Sequence, residues 1–285
     1  MVYGGHEAKF YYVVESVYGQ IPTSPQMLGI ENVESVEPMI DPGNIKLRGI
    51  GTRDLTAIKR GLRQVGVKVD YAVPSDDVMQ FLQHTLTLYP LTIEVIYDKS
   101  GTIVDLRFTG CRVDKTTVQC SVEEVVKASV ELIGQSLAAE TSKISGASYT
   151  DFGGAIPFSQ CYVQFGTASG GNLQTIEEIT DWKFTVANNL KRVPVIRSTS
   201  GELLKFLQPR HRSITGELTF EFENRTRYYE VINDTEFSVK LGLGPKYVLL
   251  KYCKWDSVKT PTRLEDLVSL KGEFTARTVE FEGVS

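Results

Sequence analysis

Leu91-Thr-Ile-Glu-Val-Ile-Tyr97, Asp98-Lys-Ser-Gly101, Thr102-Ile-Val-Asp-Leu-Arg-Phe-Thr109 is the stretch on which the fold turns. Two runs rich in β-branched and aromatic residues flank four residues of turn chemistry, which specifies an antiparallel hairpin. Runs of the same kind recur at Phe10–Glu15, Gly66–Val73, Ala128–Leu137, Gln160–Phe165, Asp181–Val186, Ser213–Glu223, Phe237–Leu241, Tyr247–Tyr252 and Gly272–Phe281. Several alternate apolar with polar residues, the period of a half-buried antiparallel strand. The chain therefore reads as mainly β.

Helix signals are few. Ser75-Asp-Asp-Val-Met-Gln-Phe-Leu-Gln-His84 starts with a capping serine and two aspartates suited to a helix N-terminus, and predicts a helix. A shorter one is predicted from Asn224 to Ile232, carrying Tyr228, Tyr229 and Val231. Gly242-Leu-Gly-Pro245 cannot continue a strand. A Gly/Ser-rich stretch runs from Ser145-Gly-Ala-Ser148 to Gly153-Gly154. It marks the expected boundary between a first domain, residues 1–145, and a second, residues 146–285, each of ordinary domain size.

The order of features in the first half recurs in the second. An acidic run, Glu31 to Asp41, precedes a basic connection with Lys46, Arg48, Arg53, Lys59, Arg60 and Arg63; a strand, a helix and a hairpin follow. Glu177-Glu178-Ile-Thr-Asp181 likewise precedes a connection with Lys191, Arg192, Arg197, Lys205, Arg210 and Arg212, then the same three features. Gly110-Cys-Arg-Val-Asp114 aligns with Tyr252-Cys-Lys-Trp-Asp256 at a spacing of 142 residues, and Arg63 with Arg212 at 149. Two copies of one unit per chain suggest three chains around a threefold axis, a ring with pseudo-sixfold symmetry; a head-to-head dimer or a monomer remains open.

Much conventional chemistry is absent from the sequence. A net charge of −4 argues against general nucleic-acid affinity, and no apolar run approaches the roughly 18 residues of a membrane span. The first fifteen residues lack the pattern of a signal peptide, so the expected setting is solution or an assembly. Cys111, Cys120, Cys161 and Cys253 sit at no metal-ligand spacing and are expected to be reduced and buried. His6, His84 and His211 are expected at surfaces or in loops, and Trp182, Trp255, Tyr228 and Tyr229 in cores. Gly49-Ile-Gly51 and Gly242-Leu-Gly244 lack the rest of a phosphate cradle, and there is no Gly-x-Ser-x-Gly elbow. No enzyme activity, cofactor or metal is expected.

Tyr12-Val-Val-Glu-Ser-Val-Tyr-Gly-Gln-Ile-Pro22 resembles the opening of the tail tube proteins of tailed phages. Pro157 to Gly166, Asp181-Trp-Lys-Phe-Thr-Val-Ala-Asn-Asn-Leu190 and Arg212-Ser-Ile-Thr-Gly-Glu-Leu-Thr-Phe220 are similar to that family's strand, Asn-Asn loop and following strand. The resemblance implies two tandem β-sandwich or barrel domains, each with a flanking short α-helix. It also implies rings built by strand addition at sheet edges, a long loop reaching the next ring, and stacked rings that form a virion conduit. The implied partners are further copies of the chain, then terminator, tape-measure and baseplate or tip proteins, assembled in the host cytoplasm; viral DNA would pass without specific binding. The inner tube of a contractile injection system, or a terminator or adaptor ring, is the alternative.

Opposite charges are the candidate contacts: Lys46, Arg48, Arg53, Lys191, Arg192, Arg197, Arg210 and Arg212 against Glu34, Glu37, Glu177 and Asp181, from one ring to the next. A plain solvated surface and DNA contact are the competing readings of the same basic residues.

Overall fold

The computed structural model describes residues 2–196, 201–223, 225–261 and 268–282. Strands dominate. The first half holds β1 (Ala8–Val14), β2 (Gln26–Ile30), β3 (Val33–Asp41), β4 (Ile45–Arg48), β5 (Leu55–Lys59), β6 (Gln64–Ala72), the helical turn α1 (His84–Thr87), β7 (Leu91–Lys99), β8 (Thr102–Ser121), β9 (Lys127–Gly134), β10 (Ser136–Glu140) and β11 (Ser148–Phe152). The second holds β12 (Cys161–Thr167), β13 (Gln174–Thr175), β14 (Ile179–Ala187), β15 (Lys191–Val193), β16 (Phe206–Gln208), β17 (Ser213–Glu221), α2 (Thr226–Ile232), β18 (Phe237–Leu243), β19 (Lys246–Lys259), β20 (Ser269–Ala276) and β21 (Thr278–Phe281).

Alternation becomes burial: β9, β17 and β20 each bury every second residue. β7, by contrast, buries six consecutive residues from Leu91 to Ile96, covered on both faces. The predicted hairpin is β7–β8, with Lys99 opposite Thr102 and Ile93 opposite Phe108.

Two long strands organise the sheets. β8 bends at Gly110, where φ is 62°, and β19 at Tyr252, where φ is 53°. Before its bend β8 pairs with β7 and β10; after it, with β9 and β14. β19 pairs with β18 and β21 first, then with β20. The result is an open network with three ladders: β11-β2-β1-β7-β8-β10, then β3-β6-β9-β8-β14-β17-β20-β19, then β13-β12-β18-β19-β21. The sheets do not close into a barrel, so the barrel alternative is set aside.

One apolar cluster runs from Phe10 to Phe281. Phe81 packs against Phe10, Tyr12 and Tyr71 in the first half, and Trp255 against Phe165, Phe220, Phe237 and Phe274 in the second.

Several expectations need correction. The stretch Ser75–His84 forms successive turns, and α-helix is confined to His84–Thr87. Its backbone bonds largely span three residues, and Asp76 accepts from the Gly153 amide, a long-range contact, at 3.0 Å. α2 starts at Thr226, and the expected cap Asn224 lies outside the described residues. The Gly/Ser-rich stretch is not slack: β11 runs through it, parallel to β2. His84 is buried and Tyr229 exposed, the reverse of expectation, and Cys161 is half-buried where the other three thiols are buried.

Candidate assembly surfaces

β4–β5 and β15–β16 are hairpins in matching places, one leading from β3 to β6, the other from β14 to β17. Their registers match. Ile45, Lys46 and Leu47 face Lys59, Ile58 and Ala57; Lys191, Arg192 and Val193 face Gln208, Leu207 and Phe206. Their environments differ. The second hairpin buries Leu204 and Leu207 completely, whereas Leu55 and Ile58, at the same places in the first, are 38% and 58% exposed.

The second hairpin is held against strands of the first half. Arg112 Nη1 donates to the Leu207 carbonyl at 2.8 Å and Gln135 Nε2 to that of Leu204 at 2.7 Å. The Arg63 amide donates to the Glu202 carbonyl at 2.8 Å, and Arg192 Nη1 to Gln64 Oε1. Leu190 N–H donates to Asp114 Oδ1 at 2.7 Å. Arg192 thus enters a groove lined by Glu37, Gly66, Lys68, Asp114 and Glu131. Asn188, buried, ties the root of the hairpin down: its amide donates to the carbonyls of Thr85 and Val113 at 3.0 Å each and accepts from Arg212 Nε at 3.1 Å.

Of the charged candidates, Lys46 and Arg48 lie on β4 and Arg53 at its tip, all exposed. Lys191 is exposed on β15 and Arg192 is the groove residue. Arg210 and Arg212 lie between β16 and β17, beside Asn188; Arg197 lies outside the described residues. Glu34 and Glu37 are exposed on β3, Glu34 pairing with Lys127 at 3.4 Å. Glu177 precedes β14, and Asp181 on β14 faces Ser121. Within the chain the structure brings Arg192 to the groove that Glu37 lines, and leaves the β4–β5 basic residues apart from the acidic ones. The residues missed are Gln64, Arg112, Asp114, Gln135, Leu204 and Leu207. Of these, Arg112 and Asp114 carried a signal, their alignment with Lys254 and Asp256.

Glu15, from the opening motif, is a buried carboxylate that accepts from the amides of Gly19 at 2.6 Å and Gly110 at 2.8 Å and from Thr92 Oγ1 at 2.9 Å. It fastens the N-terminal segment to the bend of β8. Tyr149 and Arg107 meet Glu94 and Asp105 nearby; burial, and then the adjacent Glu94, push the Asp105 carboxyl up to about 7.

The eight-stranded ladder has an open edge at each end among the described residues. β3 pairs only with β6, and the end of β19 only with β20. Inside the ladder, β14 pairs with β8 from Ala187 opposite Lys115 to Asp181 opposite Ser121, joining the two halves in one sheet.

An open sheet network whose eight-stranded antiparallel ladder has a free edge at each end defines a mainly β protein built for association through its strand edges. Which one follows from comparison: the model of the phage tail tube protein family matches residues 5–276, and the chain belongs to that family. It is a structural subunit of a virion tail tube. Two solved structures are similar: the tail of an empty GTA particle refined with C6 symmetry, at 11% identity and TM-score 0.36 over 43% of this chain and 96% of that one, and the virion of a native gene transfer agent particle, at 9% and 0.35 over 43% and 95%. No curated protein matches. No helix among the described residues is long and apolar enough to cross a membrane.

Proposed function

We propose that the chain comprises two tandem copies of one tube unit, residues 1–145 and 146–285, and that three chains close a pseudo-sixfold ring through their free sheet edges. The observation that carries this is the β8–β14 junction. β6–β9 and β17–β20 pair in the same register, and irregularities fall at matching places, Val113/Lys115 in β8 and Trp255/Ser257 in β19, Val33/Ser35 in β3 and Ile179/Asp181 in β14. β3 therefore occupies the place of β14, and the end of β19 that of the end of β8. Transferred to those edges, the junction sets Asp41 opposite Ser257 and Ile40 opposite Val258 of the next chain, covering Met39 and Ile40, both half exposed in the single chain.

Rings then stack into the conduit through which the genome passes without specific binding, with terminator, tape-measure and baseplate or tip proteins at the ends. The protein does no catalysis. Negative-stain electron microscopy of the purified chain at rising concentration tests the reading: hollow tubes or rings with three chains per layer are expected, and persistent monomers, or a different number of chains per layer, would overturn it.

A further inference from the structure

We infer that the β4–β5 hairpin is an arm that docks on the second half of another copy of this chain in the same layer, rather than on the layer above or below. This rests on the tube reading. Its basis is the hairpin already docked inside the chain, β15–β16 on the first half, whose partners all have equivalents on the second.

The equivalences follow from the pairing. Asp114 sits in the irregularity of β8 opposite Leu132 and Glu131, as Asp256 sits in that of β19 opposite Phe274 and Glu273. Gln135 is the single residue between β9 and β10, its amide bonded to Thr109; Arg277 is the single residue between β20 and β21, its amide bonded to Lys251. Arg112 opposes Ile133 as Lys254 opposes Thr275, and Gln64 opens β6 as Ser213 opens β17. The two side-chain donors that hold the internal hairpin by its carbonyls, Arg112 and Gln135, thus become Lys254 and Arg277, donors again. Asp114, the acceptor for the Leu190 amide, becomes Asp256, an acceptor for that of Asn44.

The groove that takes Arg192 also has an equivalent, lined by Lys183, Thr215, Glu217, Asp256 and Glu273, with no hairpin residue of its own chain in it. Three carboxylates against one lysine make it acidic. The residue in the place of Arg192 is Lys46, on a hairpin that also carries Arg48, Arg53 and Lys59. Charge complementarity and register select the same occupant. Docking would bury Leu55 and Ile58, the counterparts of the fully buried Leu204 and Leu207, and remove the apolar surface that the single chain presents with Ile45, Leu47 and Ile50.

Cross-linking tests it. Arg192 meets Gln64 within the chain, so Lys46 should meet Ser213 of the neighbour. The doubly substituted chain, Lys46→Cys with Ser213→Cys, is assembled into tubes, oxidised with diamide, which takes up the two thiol hydrogens as the S–S bond forms, and run on a non-reducing gel. Linked species are expected that stop at the number of chains counted per layer in end-on views, with neither single cysteine variant giving them. A ladder continuing past that number would place the hairpin between layers and overturn the inference, as would normal tubes with no linkage, while leaving the tube reading intact. Failure of the unsubstituted chain to form tubes at any concentration would overturn the tube reading, and this inference with it.

Discussion

His84 and Asp105 put opposite pH dependences into one fold. Burial lowers the His84 imidazole to about 4, below the roughly 6.5 of an unfolded chain. The unfolded chain therefore binds this proton first, and the stability His84 contributes is present above about pH 6.5 and is lost as pH falls toward 4, on the order of 3 kcal/mol across the window. Asp105 behaves in reverse. Its carboxyl, raised to about 7 chiefly by burial, stays protonated in the folded chain while the unfolded chain ionises, so stability falls as pH rises from about 4 through 7. Urea denaturation from pH 4 to 7 should show His84→Gln flattening the acid-side loss and Asp105→Asn flattening the loss toward neutral pH. Unchanged pH profiles in both variants would show that these two groups do not set the dependence.

At the scale of elements, two hairpins of one design show how context decides stability. Leu207 is fully buried against the first half, so Leu207→Asp places a charge in an apolar contact and should destabilise the single chain by about 3 kcal/mol or more. Ile58 holds the same hairpin position but is 58% exposed, so Ile58→Asp should leave the single chain within about 0.5 kcal/mol of the parent, yet prevent tube formation. Thermal unfolding of unassembled protein and microscopy of concentrated samples separate the two effects; equal destabilisation by both substitutions would contradict this. The failed helix at Ser75–His84 teaches the same lesson. Its capping serine and acidic first turn were legible, but Phe81 is drawn into an aromatic cluster and Asp76 toward Gly153, and burial outweighs local propensity.

At the scale of the whole molecule, the eight-stranded ladder and the shared core make the halves one cooperative body. Trp182, on β14, lies opposite Cys120, on β8, and Thr117 and Thr185 hydroxyls meet at 2.9 Å across the same junction. The chain alone should therefore unfold in one transition, with tryptophan fluorescence, which reports only the second half, coinciding with far-ultraviolet dichroism, which reports both. Separate midpoints would mean that the junction is too weak to couple them.

Local chemistry was enough for the longer strands but not for β2, β4, β5, β11, β13, β15 and β16: β-branched alternation marks β9, β17 and β20, and Asp98-Lys-Ser-Gly101 marks the β7–β8 turn, because period and turn residues act between neighbours in the chain. The basic connections were legible for the same reason. What lay beyond reach was which surfaces meet. Leu204 and Leu55 sit in equivalent hairpins, yet one is buried and the other exposed, since burial depends on strands about seventy or more residues away in the chain. Gln135 and Gln64 carry no motif and gain their roles only from where β14 joins β8. The free edges of β3 and β19 likewise exist only once every other pairing has been made, and pairing between distant strands is a property of the folded sheet rather than of any stretch of sequence.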